Sequence, residues 1–248
     1  MSAIYILWLR QLKRYTRSRA RIVGSLGQPI LFLIALGFGF GPTFAKAGGG
    51  SYIQFLAPGV ISMGILFTAV FTGIEIIWDR QFGFLKETLV APVSRLTIVL
   101  GRTLGGATVA MIQGSIVFVI CLVAGFRFQS LAYVPAALVF MFMIAVLFTA
   151  IGTAIASVLE DMQGFQLIMN FIVMPLFFFS NALFPVQNLP KVLQMAIRLN
   201  PLTYGVDGIR GSFSTRFVFG LGTDFVVLGV LTTIVLALAS YLFSKIQL

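Results

Sequence analysis

Few side chains in this sequence can do covalent, acid–base or metal chemistry, and their spacing does not suit it. There is no histidine, which removes imidazole bases, His-ligated metals and Ser/His/Asp triads together. The one cysteine, Cys121, lies inside an apolar run, so neither an intrachain disulfide nor a thiolate metal cluster can form. Among the carboxylates only Glu160 and Asp161 are adjacent, and they do not make a convincing active site. No lysine follows a glycine, so the phosphate loop GxxxxGK[ST] is absent and the chain cannot bind ATP that way. Gly37, Gly39 and Gly41 have a superficial likeness to a nucleotide fingerprint, but Pro42 follows them at the end of an apolar run. A helix unwinding at a membrane edge accounts for them. We therefore expect no catalytic residue, no metal and no cofactor on this chain.

What remains is the chemistry of docking and of ion pairs. The stretch DRQFGFLKETLVAPVSR at 79–95 carries mixed charge between two apolar runs. Read as one helix over 79–92, it places Trp78, Phe82, Leu85 and Leu89 on one stripe, suited to packing on a membrane domain. Asp79, Arg80, Lys86 and Glu87 spread over the other side, with Phe84 among them as an apolar knob, and Pro92 ends the helix. An exposed aromatic ringed by charge is what docking to a soluble partner requires, the ring anchoring and the charges orienting. A helix that serves topology alone would have a similar composition. Glu75 and Arg102 flank this stretch at the inner membrane edge, where they can pair with each other or act as snorkelling anchors. In the run MPLFFFSNALF at 174–184, Phe177, Phe178, Asn181 and Phe184 can face a transport path or pack against lipid. Gly73 and the glycines at 101–105 fit close helix packing.

These groups must be positioned by membrane helices. The 248 residues are 59% hydrophobic and only 10% charged, whereas a soluble domain carries roughly 25% charged residues. Runs at 22–41, 56–78, 104–125, 133–159, 165–184 and 225–243 are each long enough to approach the about 20 residues a crossing needs, which predicts six spans. Residues 1–21 put Ile4, Leu7, Trp8, Leu12 and Tyr15 on one helical face and Arg10, Lys13, Arg14, Arg17 and Arg21 on the other. That pattern describes an amphipathic helix lying in the interface. The net charge of +10 is carried by loops, as expected for cytoplasmic segments facing anionic lipid, and no nucleic-acid motif accompanies it. Basic residues concentrate before the first run and in the 79–95 loop, while the loops holding Lys46 and Arg127 have one each. With an even number of spans, this places both termini in the cytoplasm. A glycine-rich loop at 48–51 and a proline-containing segment from 185 complete the chain.

The 79–95 stretch, YIQFLAPG at 52–59 and NPLTYGVDGIR at 200–210 together resemble the permease subunit of the type-2 ATP-binding-cassette transporters, the group with drug-resistance and nodulation-factor exporters. The order and spacing of these motifs, the six-span count and the amphipathic N-terminus extend the resemblance over nearly the whole chain. It implies an all-α integral membrane protein, a single transmembrane domain over 1–248, in which 79–92 is a coupling helix seated on a separate ATPase subunit. Asp79, Arg80, Phe84, Lys86, Glu87 and Thr88 then make the ATPase contact, and ATP and magnesium belong to that partner. Residues 185–210 are expected to form short re-entrant helices closing the outer mouth. The resemblance further implies a dimer of permease chains, most simply a homodimer, in the inner cell membrane, exporting an amphipathic drug-like molecule, lipid or lipid-linked saccharide. The alternative is an ATP-independent channel or secondary transporter, which needs polar groups near mid-membrane, where only Gln113 and Asn170 come close.

Overall fold

The computed structural model describes residues 3–46, 51–129, 131–186, 189–214 and 217–246. The glycine-rich loop at 48–50 and Arg216 lie outside the described residues. Among the described residues the α-helices are, in order, α1 (Ala3–Arg17), α2 (Arg19–Lys46), α3 (Tyr52–Phe71), α4 (Ile74–Gln81), α5 (Phe84–Val90) and α6 (Arg95–Val123). They continue with α7 (Val134–Val158), α8 (Met162–Phe178), α9 (Lys191–Leu199), α10 (Pro201–Ser214) and α11 (Leu221–Ser244).

Among the described residues five units are long and apolar enough to cross a membrane: α2, α3 with α4, α6, α7 with the turn before it, and α11. The run at 165–184, expected as the sixth span, gives the shorter apolar helix α8, which with the turn after it still runs from the α4 end of the bundle, where Arg80 meets Glu160, to the start of α3, where Tyr52 bonds the Leu183 carbonyl. Its 17 residues reach about 25 Å at 1.5 Å per residue, against a hydrocarbon core of about 30 Å. The helix starts early because Asp161 caps it, accepting from the Gly164 amide. It stops early because Pro175 removes a donor from the last turn and Asn181 takes the left-handed conformation at φ 60°.

The core forms around α3. Leu56, Val60, Ile61, Ile65 and Leu66 are all fully buried, packed among α2, α6, α7 and α10, whereas α2 and α11 lie at the periphery. Lipid supplies no hydrophobic drive between helices, so close approach must come from small residues. Gly73 and Gly152 supply it where α3 and α4 meet α7. A Cβ on Gly73 would strike the Gly152 backbone, and one on Gly152 would strike the Val70 carbonyl. Gly101 and Gly105 do the same on α6, where a Cβ would meet Leu7 Cβ at 3.0 Å and Gln11 Cγ at 2.6 Å.

Those two glycines seat α1. Its apolar face runs along the first half of α6 in the same chain direction, from Ile4 beside Gly101 to Tyr15, whose hydroxyl donates to Gln113 Oε1 at 2.7 Å. Trp8 Nε1 donates to Thr108 Oγ1 at 3.0 Å between them. The stripe expected to face lipid is thus docked on the bundle, and Gln11, outside that stripe, is buried with it. Ser18 breaks the helix before α2 begins.

The segment expected at 185–210 as short external helices folds into α9 and α10, and α10 extends to Ser214. Leu202, Val206 and Ile209 of α10 are fully buried against α3, α7 and α11. The irregular backbone between α8 and α9 exposes carbonyls that cannot be left unpaired inside a membrane domain. Side chains from both motif segments pair them. Asn200 Nδ2 donates to the Phe179 carbonyl at 2.8 Å, Tyr52 Oη to that of Leu183 at 3.0 Å and Arg210 Nη2 to that of Asn181 at 2.8 Å.

Candidate functional site

At one end of the bundle α4 leaves α3 through a short break at Thr72 and Gly73, and it carries Glu75 and Asp79. Spaced i,i+4, these carboxylates share one helical face. That face is turned inward: Glu75 is 5% and Asp79 1% exposed. Buried carboxylates need partners, and arginines from three other helices supply them. Arg102 of α6 places Nη2 2.6 Å from Asp79 Oδ2, and Arg10 of α1 places Nη2 2.7 Å from Asp79 Oδ1. Arg21 of α2 holds Glu75 Oε1 at 2.7 Å, while Arg14 of α1 reaches Glu75 Oε2 at 3.3 Å and Asp79 Oδ1 at 3.8 Å.

The pairing expected between Glu75 and Arg102 is therefore redistributed. Arg102 pairs with Asp79, one helical turn further along, and Glu75 pairs with Arg14 and Arg21. The expected tie at the helix ends is present as a network that joins α1, α2, α4 and α6. The presence of Arg14 on the exposed-looking face of α1 was visible in sequence, but its partner was not.

Gly83, at φ 79°, separates α4 from α5. The single helix expected over 79–92 is thus two helices, and the stripe drawn through both loses its phase at the glycine. Leu85 is buried and Leu89 half-buried, as expected, but Trp78 and Phe82 are exposed instead of packed. The six residues expected at the partner contact divide accordingly. Asp79 is inside the ion network. Arg80 turns to α7, donating to the Leu159 and Ser157 carbonyls at 3.2 and 3.3 Å, with Glu160 Oε1 at 3.8 Å. Phe84, Lys86 and Glu87 are exposed on α5, and Thr88 beside them is half-buried, its hydroxyl donating to the Phe84 carbonyl.

The result is a short helix with an apolar, open surface on a rigid mount. Phe82, Phe84 and Val90 are exposed at 68%, 51% and 78%, next to Lys86 and Glu87. The mount is held by the Asp79 ion pairs on one side and the Arg80 bonds to the end of α7 on the other. The helix before α5 is thereby tied to α1, α6 and α7 through charge-assisted contacts.

The residues expected on a transport path are also divided. Phe177 is fully buried, its ring edge-on to Phe32 at 5.7 Å between centroids, and is core packing. Asn181 is buried at the turn after α8, where its side-chain amide, oriented to satisfy both ends, donates to the Phe184 carbonyl and accepts from Arg210 Nη1 at 3.1 Å. Phe178 and Phe184 are exposed and line an apolar cleft of about 500 Å³ with Met174 and Leu193. Of the two mid-membrane polar groups, Gln113 is engaged by Tyr15, and Asn170 is exposed on α8.

Comparison with known proteins agrees with this architecture. Residues 2–214 match the family described as ABC-2 type transporter. The chain is 31% identical to Nodulation protein J of Rhizobium leguminosarum bv. trifolii, over 83% of this chain and 76% of that protein. It is 27% identical to the putative transport permease ycf38 of Cyanophora paradoxa, over 85% of this chain and 74% of the relative. A third similar protein, the inner membrane transport permease YadH of Escherichia coli (strain K12), is 27% identical over 99% of this chain and 94% of its own length.

Proposed function

This chain belongs to the ABC-2 type transporter family and is a multi-pass transport permease, and on that premise we propose that it forms the membrane path of an ATP-driven exporter whose ATPase is a separate subunit. The observation that carries this proposal is α5, whose Phe84, Lys86 and Glu87 are exposed while the residues around them are tied into the bundle. Phe84 enters a pocket of the ATPase, and Lys86 and Glu87 set its orientation, with Phe82 and Val90 widening the contact. ATP and magnesium bind the partner, since the chain has no phosphate loop of its own. The α5 end is cytoplasmic, with both termini on that side, in the inner membrane.

Two copies of the chain form the path, and ATP-driven closure of the ATPase pair moves the two α5 helices together. The motion reaches α1, α2 and α6 through Asp79 and Glu75. The cargo is amphipathic, a drug-like molecule, lipid or lipid-linked saccharide, and Phe178 and Phe184 contact it near the outer end. Reconstitution of the permease with its ATPase in liposomes tests the proposal. ATP hydrolysis stimulated by an exported amphiphile supports it, and transport that runs on a proton gradient without ATP overturns it in favour of secondary transport.

A further inference from the structure

At the end of the bundle opposite α5, an open cleft of about 670 Å³ lies between the start of α3 and the end of α10. Phe44, Ser51, Gln54, Phe55 and Asn181 line it, with Arg210 as its one cation among the described residues. Arg210 is 91% buried, at 9% relative exposure, and a guanidinium remains charged under all physiological conditions. A buried charge is normally paired. Here none of the ion pairs among the described residues includes Arg210. Asp207, one turn earlier on α10, directs its carboxylate to the amides of Val218 and Phe219 at 2.8 and 2.9 Å.

The hydrogen bonds that hold the guanidinium come from neutral groups. Nη2 donates to the Phe55 and Asn181 carbonyls at 3.2 and 2.8 Å, and the group stacks over the Phe55 ring at 4.0 Å. Nε has no hydrogen-bond partner. Such a cation feels the Asp207 charge one turn away without forming an ion pair with it, and no acidic side chain lines the cleft among the described residues. Phe44 and Phe55 form an apolar wall beside it. The combination of one fixed guanidinium with an adjacent aromatic surface suits an oxyanion attached to an apolar body.

We propose that this cleft binds the oxyanion of an amphipathic anion, a phosphate or carboxylate carried on an apolar chain, through Arg210. The proposal rests on the permease assignment only for placing the cleft at the extracytoplasmic end, where the group comes either from cargo leaving the path or from a lipid of the outer leaflet. Ser51, at the start of α3, makes no side-chain cap to its helix and stands at the cleft wall, so a large side chain there narrows the cleft and replaces none of the groups that bond Arg210.

The test is titration of the purified permease, without any ATPase, with hexyl phosphate, read by calorimetry and by the shift in unfolding temperature. Saturable binding is expected in the wild type, weakened at least tenfold by both Arg210→Gln and Ser51→Trp, with no saturable binding of hexyltrimethylammonium. Competition by inorganic phosphate would assign recognition to the oxyanion alone. Binding without that competition would assign it to the intact amphiphile, as for a lipid. Unchanged affinity in Ser51→Trp, or no saturable binding of either phosphate, overturns the proposal. Should Arg210→Gln fail to fold, Ser51→Trp decides the matter, since it leaves the guanidinium in place. Because no ATPase is present, failure here leaves the docking role of α5 standing, and failure of that docking leaves this site standing.

Discussion

Arg102 and Asp79 meet at 2.6 Å, with 4% and 2% of their side chains exposed, and so join the helix that leads into α5 to the helix that follows it. Removing one member of a buried pair strands the other charge, at a cost of about 3–5 kcal/mol, whereas replacing both by apolar groups can be nearly neutral. Asp79→Leu strands the buried Arg102 and is therefore expected to lower the unfolding temperature in detergent strongly; Arg102→Leu leaves Asp79 its contacts with Arg10 and Arg14 and should lower it less, and the double variant should recover most of the Asp79→Leu loss. The double variant remains defective in ATP-driven transport, because α5 has lost a tie to α6. Equal stability of the two single variants and the wild type would contradict the role of the pair.

Phe84 offers the opposite behaviour, being half exposed. Phe84→Ala should change stability by no more than about 0.5 kcal/mol, as for other surface substitutions. Transport with the partner ATPase should fall at least tenfold, as expected when an anchoring aromatic is removed from an interface. Parallel measurement of unfolding temperature and of ATP-driven uptake into inverted vesicles separates the two effects.

Gly152 and Gly24 predict a contrast in packing. A Cβ at Gly152 runs into the Val70 carbonyl of α3, while one at Gly24 meets nothing within 4 Å. Overpacking a tight contact costs about 1–3 kcal/mol. Gly152→Val should give low yield of a monodisperse protein in size-exclusion chromatography, and Gly24→Ala should match the wild type.

The spans and the exposed stretch around Phe84 were legible in the sequence because both rest on local pattern: runs of apolar residues, and a charged stretch with an aromatic knob between them. The inward turn of Asp79 was not legible, because a wheel drawn through Gly83 assumes one continuous helix. The left-handed glycine cuts that helix, leaving Asp79 on α4 with Glu75 and placing Phe82 in the open. The i,i+4 spacing of Glu75 and Asp79, with arginines four apart at 10 and 14, was the signal for the ion network. The early end of α8 was signalled by Pro175 and Asn181, against a hydropathy that continues to Phe184. The role of Asn200 and Arg210 in pairing carbonyls of the turn after α8 depends on tertiary contacts that no local pattern carries.

Orientation makes a separate prediction. Phosphatase fused after Leu248 should be inactive and a green fluorescent reporter at the same place bright, since both termini are expected on the cytoplasmic side. An active phosphatase would place α5 outside, where no ATPase could meet it.

The central claim, that α5 is where the ATPase pushes, is tested most directly by a photocross-linking amino acid at position 84, with position 119 on α6 as an exposed control away from α5. Irradiation of membranes containing both subunits should join the permease to the ATPase from position 84 and not from 119. The yield from 84 should change when ATP is bound without hydrolysis. No ATPase adduct from position 84, or equal adducts from both positions, would contradict the account.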